Sequence, residues 1–200
     1  MGKRPYSLES HRPRSKSVMV ILPTTYWGPE AWYRRLLQAG ETEVEVMESF
    51  VKQTYRNRCT ILTPDGPLTL SVPVKKVESK QYTRDVEISY QSKWQHQHWM
   101  AIMSAYKHTP YFDYYQEFFR PFYERETRLL TELNEGIHEV VMHLLMNHPP
   151  ENGLTRYPLK HTSDWSGLNL EACWGNGMSI MDLLFNWGPE ALQILAKKEG

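Results

Sequence analysis

Residues 18–47 restrict the fold more than any other part of the chain, because their pattern switches from strand to helix and back to strand. "VMVIL", from Val18 to Leu22, is a short β-branched run typical of a buried strand. After a break at "PTTYWGP", Pro29 suits the first position of a helix in "PEAWYRRLLQAG". "TEVEVM" then alternates polar and apolar side chains, as a strand with one buried face does. The opening therefore predicts a β–turn–α–β arrangement.

Two further stretches with strand character follow. "RCTIL", the turn "PDG" and "LTLSVPV" predict a β-hairpin, in which Pro73 marks an edge or a strand end. "DVEISY" predicts one more strand. Together these segments predict an α/β fold with a mixed sheet of about five strands, a Rossmann-like βαβ start and a helical C-terminal half.

Helical patterns dominate the second half of the chain. Ser92 is a candidate N-cap for "SKWQHQHWMAIMSAYKHT", and Pro121 is expected to interrupt the helix of "PYFDYYQEFFRPFY". "YERETRLLTELNEGIHEVVMHLLMN" has the apolar stripe of an amphipathic helix. Ser179 suits an N-cap for the last segment, which Gly188-Pro189 should divide into two helices packed on the core. In the irregular stretch before it, "LNLEACW" is a candidate strand.

The charge balance and the cysteine content limit the classes of function that the chain can have. Lys and Arg number 23 and Asp and Glu also number 23, so the chain lacks the strong positive field that coats nucleic acid. Residues 1–17 are basic and lack the apolar core of a secretory signal, which predicts a disordered tail ahead of a single domain over residues 18–200. No apolar run is long enough for an integral membrane segment. Cys59 and Cys173 are both expected to be reduced, so the predicted location is cytoplasmic.

The segment "VKQTYRNRC", residues 51–59, gathers more hydrogen-bond donors than a solvated connection requires. On an extended segment Arg56 and Arg58 would share one side, where guanidinium groups suit phosphate or carboxylate oxygens. In a turn, the members could converge on one ligand. Three interpretations stay open at this point: an anion-binding loop, a solvated turn and an ordinary edge strand. The candidate ligands are Lys52, Gln53, Tyr55, Arg56, Asn57 and Arg58.

Three more side chains are candidates for a site. Lys75 and Lys76 follow the returning strand of the hairpin, and ligands of α/β proteins often bind near strand ends, although a solvated strand exit explains them as well. His98 is either a core histidine with its hydrogen bonds satisfied or a general base lining a cleft. His96 and His98 would lie about 200° apart on a helix and could not share one ion, so no metal site is predicted.

Four stretches read together resemble the WbqC-like protein family: "FVKQTYRNRCTI", "GPLTLSVPVKK", "VEISYQSKWQHQHWMAIMSAYKHTPYFDYY" and "SIMDLLFNWGPEAL". They stand in the family's order and spacing, and the resemblance covers most of the chain. It implies a cytoplasmic bacterial protein of cell-surface polysaccharide synthesis, including the O-antigen of lipopolysaccharide, that works on an activated sugar. It also implies a Rossmann-type nucleotide-binding layout at the start and, as one proposed reaction, acyl or aminoacyl transfer to an amino sugar.

The chain departs from the family pattern at two places. Ile21-Leu22-Pro23 stands where many relatives have His-Gln-Pro, so chemistry that depends on that histidine would be lost or different. Ser166, in the short stretch "SDWSGLNL", stands where relatives have the Arg of Asp-Phe-Arg. Both departures point to altered activity in this chain.

Two functional hypotheses follow from the residues and the resemblance. In the first, a transferase binds an anionic nucleotide sugar through the segment 51–59 and uses His98 as a base. In the second, the chain is a non-catalytic nucleotide-sugar-binding or assembly protein of the same pathway, which the missing His-Gln-Pro favours. Arg interleaved with Tyr would suit single-stranded nucleic acid, but the neutral charge balance weighs against that partner. The sequence identifies no cofactor and leaves open whether the chain forms a homo-oligomer.

Overall fold

The computed structural model describes residues 19–39, 41–146 and 177–197, which form a mixed α and β fold. The basic tail, the candidate strand "LNLEACW", Ser166 and Cys173 lie outside these ranges. The strands and helices, in chain order, are β1 Met19–Pro23, α1 Glu30–Gln38, β2 Glu41–Glu45, β3 Arg58–Thr63, β4 Gly66–Ser71, α2 Trp94–Tyr106, α3 Phe112–Phe119, α4 Pro121–Glu124, α5 Leu130–Leu145, α6 Ile180–Trp187 and α7 Ala191–Ala196.

The first three elements follow the predicted order. β1 and β2 pair in parallel, with Leu22 opposite Val44, and α1 connects them. The buried Trp32 of α1 donates a hydrogen bond from Nε1 to the carbonyl of Pro23 at the end of β1, 2.9 Å away. Pro29 immediately precedes the helix, in an extended conformation. The β–turn–α–β prediction is thus confirmed, but the Rossmann-like extension of it is not, because within the described residues β1 and β2 form a two-stranded sheet.

The predicted hairpin is present and the predicted five-stranded sheet is not confirmed. β3 and β4 pair antiparallel, with Ile61 opposite Leu68, as a second two-stranded sheet in the described part of the chain. "DVEISY" does not form a strand. It makes single bridges instead, Ile88 with Val74 and Glu87 with Leu129, because each neighbouring segment runs beside it for only a few residues.

These bridges connect three segments, 73–75, 86–89 and 128–130, which we call the bridge ladder. Lys75 N–H donates to Glu87 O and Ser89 N–H to Pro73 O, each at 2.9 Å. On the other side, Ile88 N–H donates to Arg128 O at 3.0 Å. Leu130 N–H then donates to the carbonyl of Val86 at 2.9 Å, at the start of α5. The backbone positions of the three segments are therefore fixed independently of their side chains.

The helices of the second half begin and end largely where local signals place them. Pro121 separates α3 from α4, and Ser179 Oγ accepts from Met181 N–H at 3.2 Å as the N-cap of α6. The prediction of Ser92 as an N-cap is wrong: Lys93 precedes α2 and makes no side-chain cap bond. Among the helices of the described ranges, none has the length and apolar content needed to cross a membrane.

The two terminal helices pack on the core, as predicted. Ile180, Leu183 and Leu184 of α6 are buried as predicted. Leu192, predicted to join them, is only half-buried, and Leu195 is the buried leucine of α7. Gly188 separates the helices with φ of +48°, and a Cβ there would lie 2.4 Å from the ring of Tyr111. A side chain at this position would meet both a strained backbone and a packed aromatic ring.

Asp182, in the first turn of α6, should make the protein less stable as pH rises. Burial is the main cause that raises the pKa of Asp182 to about 6, and the charge of Glu30 adds to it. Because the folded state holds this proton more tightly than the unfolded chain, stability is greatest below pH 4 for this group and falls as pH rises through about 6. Asp182→Asn should therefore be more stable than wild type at pH 7.5, by about 1–2 kcal/mol for a partly exposed group.

Urea unfolding of both proteins at pH 4.5 and pH 7.5 measures this difference. The advantage of Asp182→Asn should shrink at the lower pH, where Asp182 is largely protonated in the folded protein. Glu190→Gln is a suitable control, since Glu190 is an exposed carboxylate close by along the chain. An advantage that is equal at both pH values would show that the ionisation of Asp182 costs no stability.

Candidate functional site

The segment 51–57 is a turn that leads into β3, so its interpretation as an extended edge strand is wrong. Lys52 and Gln53 are exposed, and Gln53 has a left-handed backbone with φ of +64°. Arg56 and Asn57 are buried, at 4% and 6% exposure. The turn therefore buries two consecutive side chains, which an extended strand would direct to opposite faces.

Arg56 is held inside the protein by neighbours from other segments. Its Nε forms an ion pair with Glu48, whose side chain is 13% exposed. Its Nη1 donates to Thr54 Oγ1 at 3.2 Å, and its carbonyl accepts from Asn134 Nδ2 at 2.9 Å. A guanidinium so engaged neutralises a buried carboxylate and ties the turn to α5.

The other members of the segment have separate surroundings. Asn57 Nδ2 donates to the carbonyl of Val72 at 3.0 Å, which fixes the turn against the end of β4. Arg58 is half-buried at the start of β3 and donates from Nε to Ser71 Oγ at 3.2 Å. Tyr55 is half-buried, and its carbonyl accepts from Tyr26 N–H at 2.9 Å. The proposed binding of an anion by this segment stays a prediction, and its candidate ligands with exposed or half-buried side chains are Lys52, Gln53, Tyr55 and Arg58.

His98 lies in a buried hydrogen-bonded group rather than in an open cleft. Its Nδ1 is 2.9 Å from the hydroxyl of Tyr26, which is 2.9 Å from the hydroxyl of Tyr123. Trp27 Nε1 donates to the same Tyr123 hydroxyl at 2.8 Å. Burial lowers the pKa of His98 to about 4, while a backbone hydrogen bond to Ser71 acts in the other direction. The imidazole is neutral at physiological pH, and it is only 5% exposed.

A small cavity lies beyond the end of β1, where a Rossmann-type protein would bind its nucleotide. Its volume is about 20 Å³, and Thr24, Thr25, Asn134 and His138 contribute to its wall. One water needs about 10–15 Å³ of such space. This cavity therefore has room for solvent and is too small for a nucleotide.

Lys75 and Lys76 lie beside open space. A cleft of about 590 Å³ is bounded by residues 88–91 and 126–128 together with Lys75. A second cleft, of about 170 Å³, is bounded by Lys75, Lys76, Gln81 and other residues nearby. Lys75 lines both clefts and so marks where they adjoin. The larger cleft has the volume of an ordinary small-molecule site.

The bridge ladder places a triad of charged side chains between the two clefts. Glu87 Oε2 accepts from Lys75 Nζ at 2.6 Å, and Glu87 Oε1 accepts from Arg128 Nη1 at 3.0 Å. The side chains of Lys75 and Arg128 are 62% and 68% exposed, against 33% for Glu87. The hydrogen bond from Lys75 is the main cause that lowers the pKa of Glu87, and Arg128 contributes further. One ionised carboxylate thus bridges two cations that face open clefts.

Sequence reasoning found Lys75 and missed its partners. Glu87 sits in "DVEISY", where alternation was read only as a strand, and Arg128 sits in the connection before α5. Tyr90 lines the larger cleft, and its hydroxyl donates to Thr127 O at 2.9 Å and accepts from Thr127 N–H at 2.8 Å. No local sequence pattern predicts this triad, because its members come from three separate segments of the chain. In the ranges that the structure describes, no three His, Cys, Asp or Glu side chains are grouped so as to hold a metal ion.

Comparison with known proteins gives one family. The model of the WbqC-like protein family matches residues 33–173, well over half of the chain, including the turn 51–57, the bridge ladder and α2 to α5. Neither the curated proteins nor the solved structures gave a match.

Proposed function

The chain belongs to the WbqC-like protein family, and on this basis we propose that it serves cell-surface polysaccharide synthesis by binding an anionic activated sugar. The pathway of this proposal, including O-antigen and lipopolysaccharide synthesis, is what the family resemblance implies. The larger cleft beside the triad supplies the strongest support for the ligand, since it combines volume, two cations and neutral hydrogen-bonding groups.

The side chains around this cleft suit the parts of a nucleotide sugar. Lys75 and Arg128 would hold the phosphates, because charge-assisted bonds to phosphate are the strongest that exposed cations make. Ser89 and Gln91 would exchange hydrogen bonds with sugar hydroxyls. Glu126, which also lines the cleft, would repel phosphate and would instead accept from hydroxyls or from the ammonium group of an amino sugar. Lys76, in the adjoining cleft, would add positive charge near the phosphates.

Of the two forms of this function, binding without catalysis fits the geometry better than acyl or aminoacyl transfer. A general base needs a lone pair that reaches the substrate. His98 is buried, and its Nδ1 is engaged with the hydroxyl of Tyr26. In addition, Ile21-Leu22-Pro23 at the end of β1 contains no histidine, whereas the family resemblance implies His-Gln-Pro there. A role as a nucleotide-sugar-binding or assembly protein needs neither histidine.

A thermal-shift screen of nucleotide sugars is expected to find a ligand that raises the melting temperature, because a ligand bound only by the folded state stabilises it. Lys75→Gln and Arg128→Gln should each weaken the binding of that ligand by about tenfold. This is the lower end of the range for a charge-assisted bond, since both cations are exposed. Titration calorimetry gives the dissociation constants.

Lys52→Gln is the matched control, because it removes an exposed cation from the turn 51–57 and leaves the cleft untouched. Full affinity in Lys75→Gln and Arg128→Gln, with loss in Lys52→Gln or Arg58→Ala, would place the ligand at the turn instead. A gain of an acyl group by an amino-sugar nucleotide, detected by mass spectrometry after incubation with acyl donors, would favour the transferase.

A further inference from the structure

The triad of Lys75, Glu87 and Arg128 has the arrangement of an occupied anion site. Each oxygen of one carboxylate accepts from a different cation, at 2.6 Å from Lys75 and at 3.0 Å from Arg128. Two oxygens of a phosphate are spaced much as the two oxygens of a carboxylate are, so the same pair of cations can be bridged by a phosphate. Glu87 therefore stands in the place that such a ligand would take.

The backbone beneath the triad does not depend on these ion pairs. Lys75 N–H donates to Glu87 O, and Ile88 N–H donates to Arg128 O, so the bridge ladder fixes the three chain segments. Only side chains would have to move for Glu87 to leave. Rigid backbone beneath mobile side chains preserves the spacing of the two cations when their partner changes.

The ion pairs themselves are weak enough to be exchanged. All three side chains are at least one third exposed at the surface, and exposed ion pairs contribute little net stability. A phosphate group carries more negative charge than a carboxylate and offers more acceptor oxygens. Exchange of Glu87 for phosphate thus costs the protein little stability and adds charge-assisted hydrogen bonds to the ligand.

We propose that Glu87 is an internal competitor for the phosphate of the ligand: it holds Lys75 and Arg128 in place when the site is empty and is displaced when a phosphate binds. This rests on the proposed function, because it concerns the same cleft. It names the group that the site recognises, the phosphate of a nucleotide sugar. Displacement also opens the boundary between the two clefts, since Lys75 lines both and Glu87 lines the smaller one.

Glu87→Gln is the test, with inorganic phosphate and pyrophosphate as the probes. The amide keeps the shape of the side chain and removes the negative charge that competes with the probe. Affinity for pyrophosphate, measured by calorimetry or by ³¹P NMR, should rise by about 3- to 30-fold over wild type, and phosphate should follow more weakly. In the Glu87→Gln background, Lys75→Gln and Arg128→Gln should each remove most of that gain. Glu124→Gln, which removes an exposed carboxylate paired with Arg120 and lining neither cleft, should give no gain.

Equal or weaker pyrophosphate binding by Glu87→Gln, or binding detectable in neither protein, would overturn the proposal. If Glu87→Gln does not fold, Glu87→Ala replaces it: this variant removes the competing carboxylate altogether, and affinity should again rise. Failure of the proposed function has a different signature, in which no nucleotide sugar binds either protein while the gain for pyrophosphate remains.

Discussion

Arg56→Ala should destabilise the folded protein by about 3 kcal/mol, the lower end for a broken buried pair, because it leaves the largely buried carboxylate of Glu48 without its partner. The arginine is 4% exposed, and the side chain of Glu48 is 13% exposed. The hydrogen bond from Nη1 to Thr54 would be lost as well. The sequence pattern placed Arg56 among the candidate ligands, and its burial adds a structural role that the pattern did not show. Urea unfolding followed by circular dichroism measures the loss.

The neighbouring Arg58 provides a matched control for this experiment. Its half-buried guanidinium bonds from Nε to Ser71, so Arg58→Ala should cost about 1 kcal/mol or less. Arg56→Ala combined with Glu48→Gln should recover part of the stability, because the orphaned charge is gone. Stability of Arg56→Ala within about 1 kcal/mol of wild type would mean that the ion pair does not hold the turn.

Phe185→Ala should also cost about 3–5 kcal/mol, through the cavity left in the centre of an aromatic cluster. Phe185 of α6 is 1% exposed, and its ring centroid lies 5.2 Å from those of Tyr106 and Phe112. It also approaches Phe119 at 6.1 Å and Trp27 at 6.4 Å, so one side chain joins α6 to α2, α3 and the loop after β1. The surrounding rings, from three parts of the chain, cannot close together on the empty space without moving their backbones.

Thermal or urea unfolding of Phe185→Ala measures the cost, and Trp187→Ala on the same helix is the control. Trp187 is 50% exposed, so its removal should change stability much less although it deletes a larger side chain. A loss of stability in Phe185→Ala as small as that in Trp187→Ala would show that the terminal helices are not part of the main core.

Local signals in the sequence predicted the elements whose causes are local. The β-branched run of β1, the period of "TEVEVM", the turn between β3 and β4, and the caps at Pro121 and Ser179 each act within a few residues. The amphipathic stripe of α5 likewise predicted that Leu133 and Ile137 are buried. Each of these features can be read without knowing the rest of the chain.

Pairing between distant segments could not be predicted in the same way. Five stretches with strand character suggested one sheet, yet sheet membership depends on which segments meet, and Ile88 meets Val74 for a single bridge. The burial of Arg56 depends on Glu48, which lies in a separate stretch of the chain. His98 was correctly seen as a possible core histidine, but its partner Tyr26 is 72 residues away.

In the bridge ladder, the hydrogen bonds that hold the fold are made by different atoms from those that form the charged surface. Its hydrogen bonds run between main-chain atoms, whereas Lys75, Glu87 and Arg128 project outward from it. Lys75 contributes a main-chain N–H to the ladder, whereas Glu87 and Arg128 contribute carbonyl oxygens. Because every residue has the same carbonyl and every residue except proline the same N–H, these three positions can change in sequence at little cost to folding. Single substitutions can then change the charges beside the clefts. Ligand preference can therefore differ between related chains while the fold stays the same.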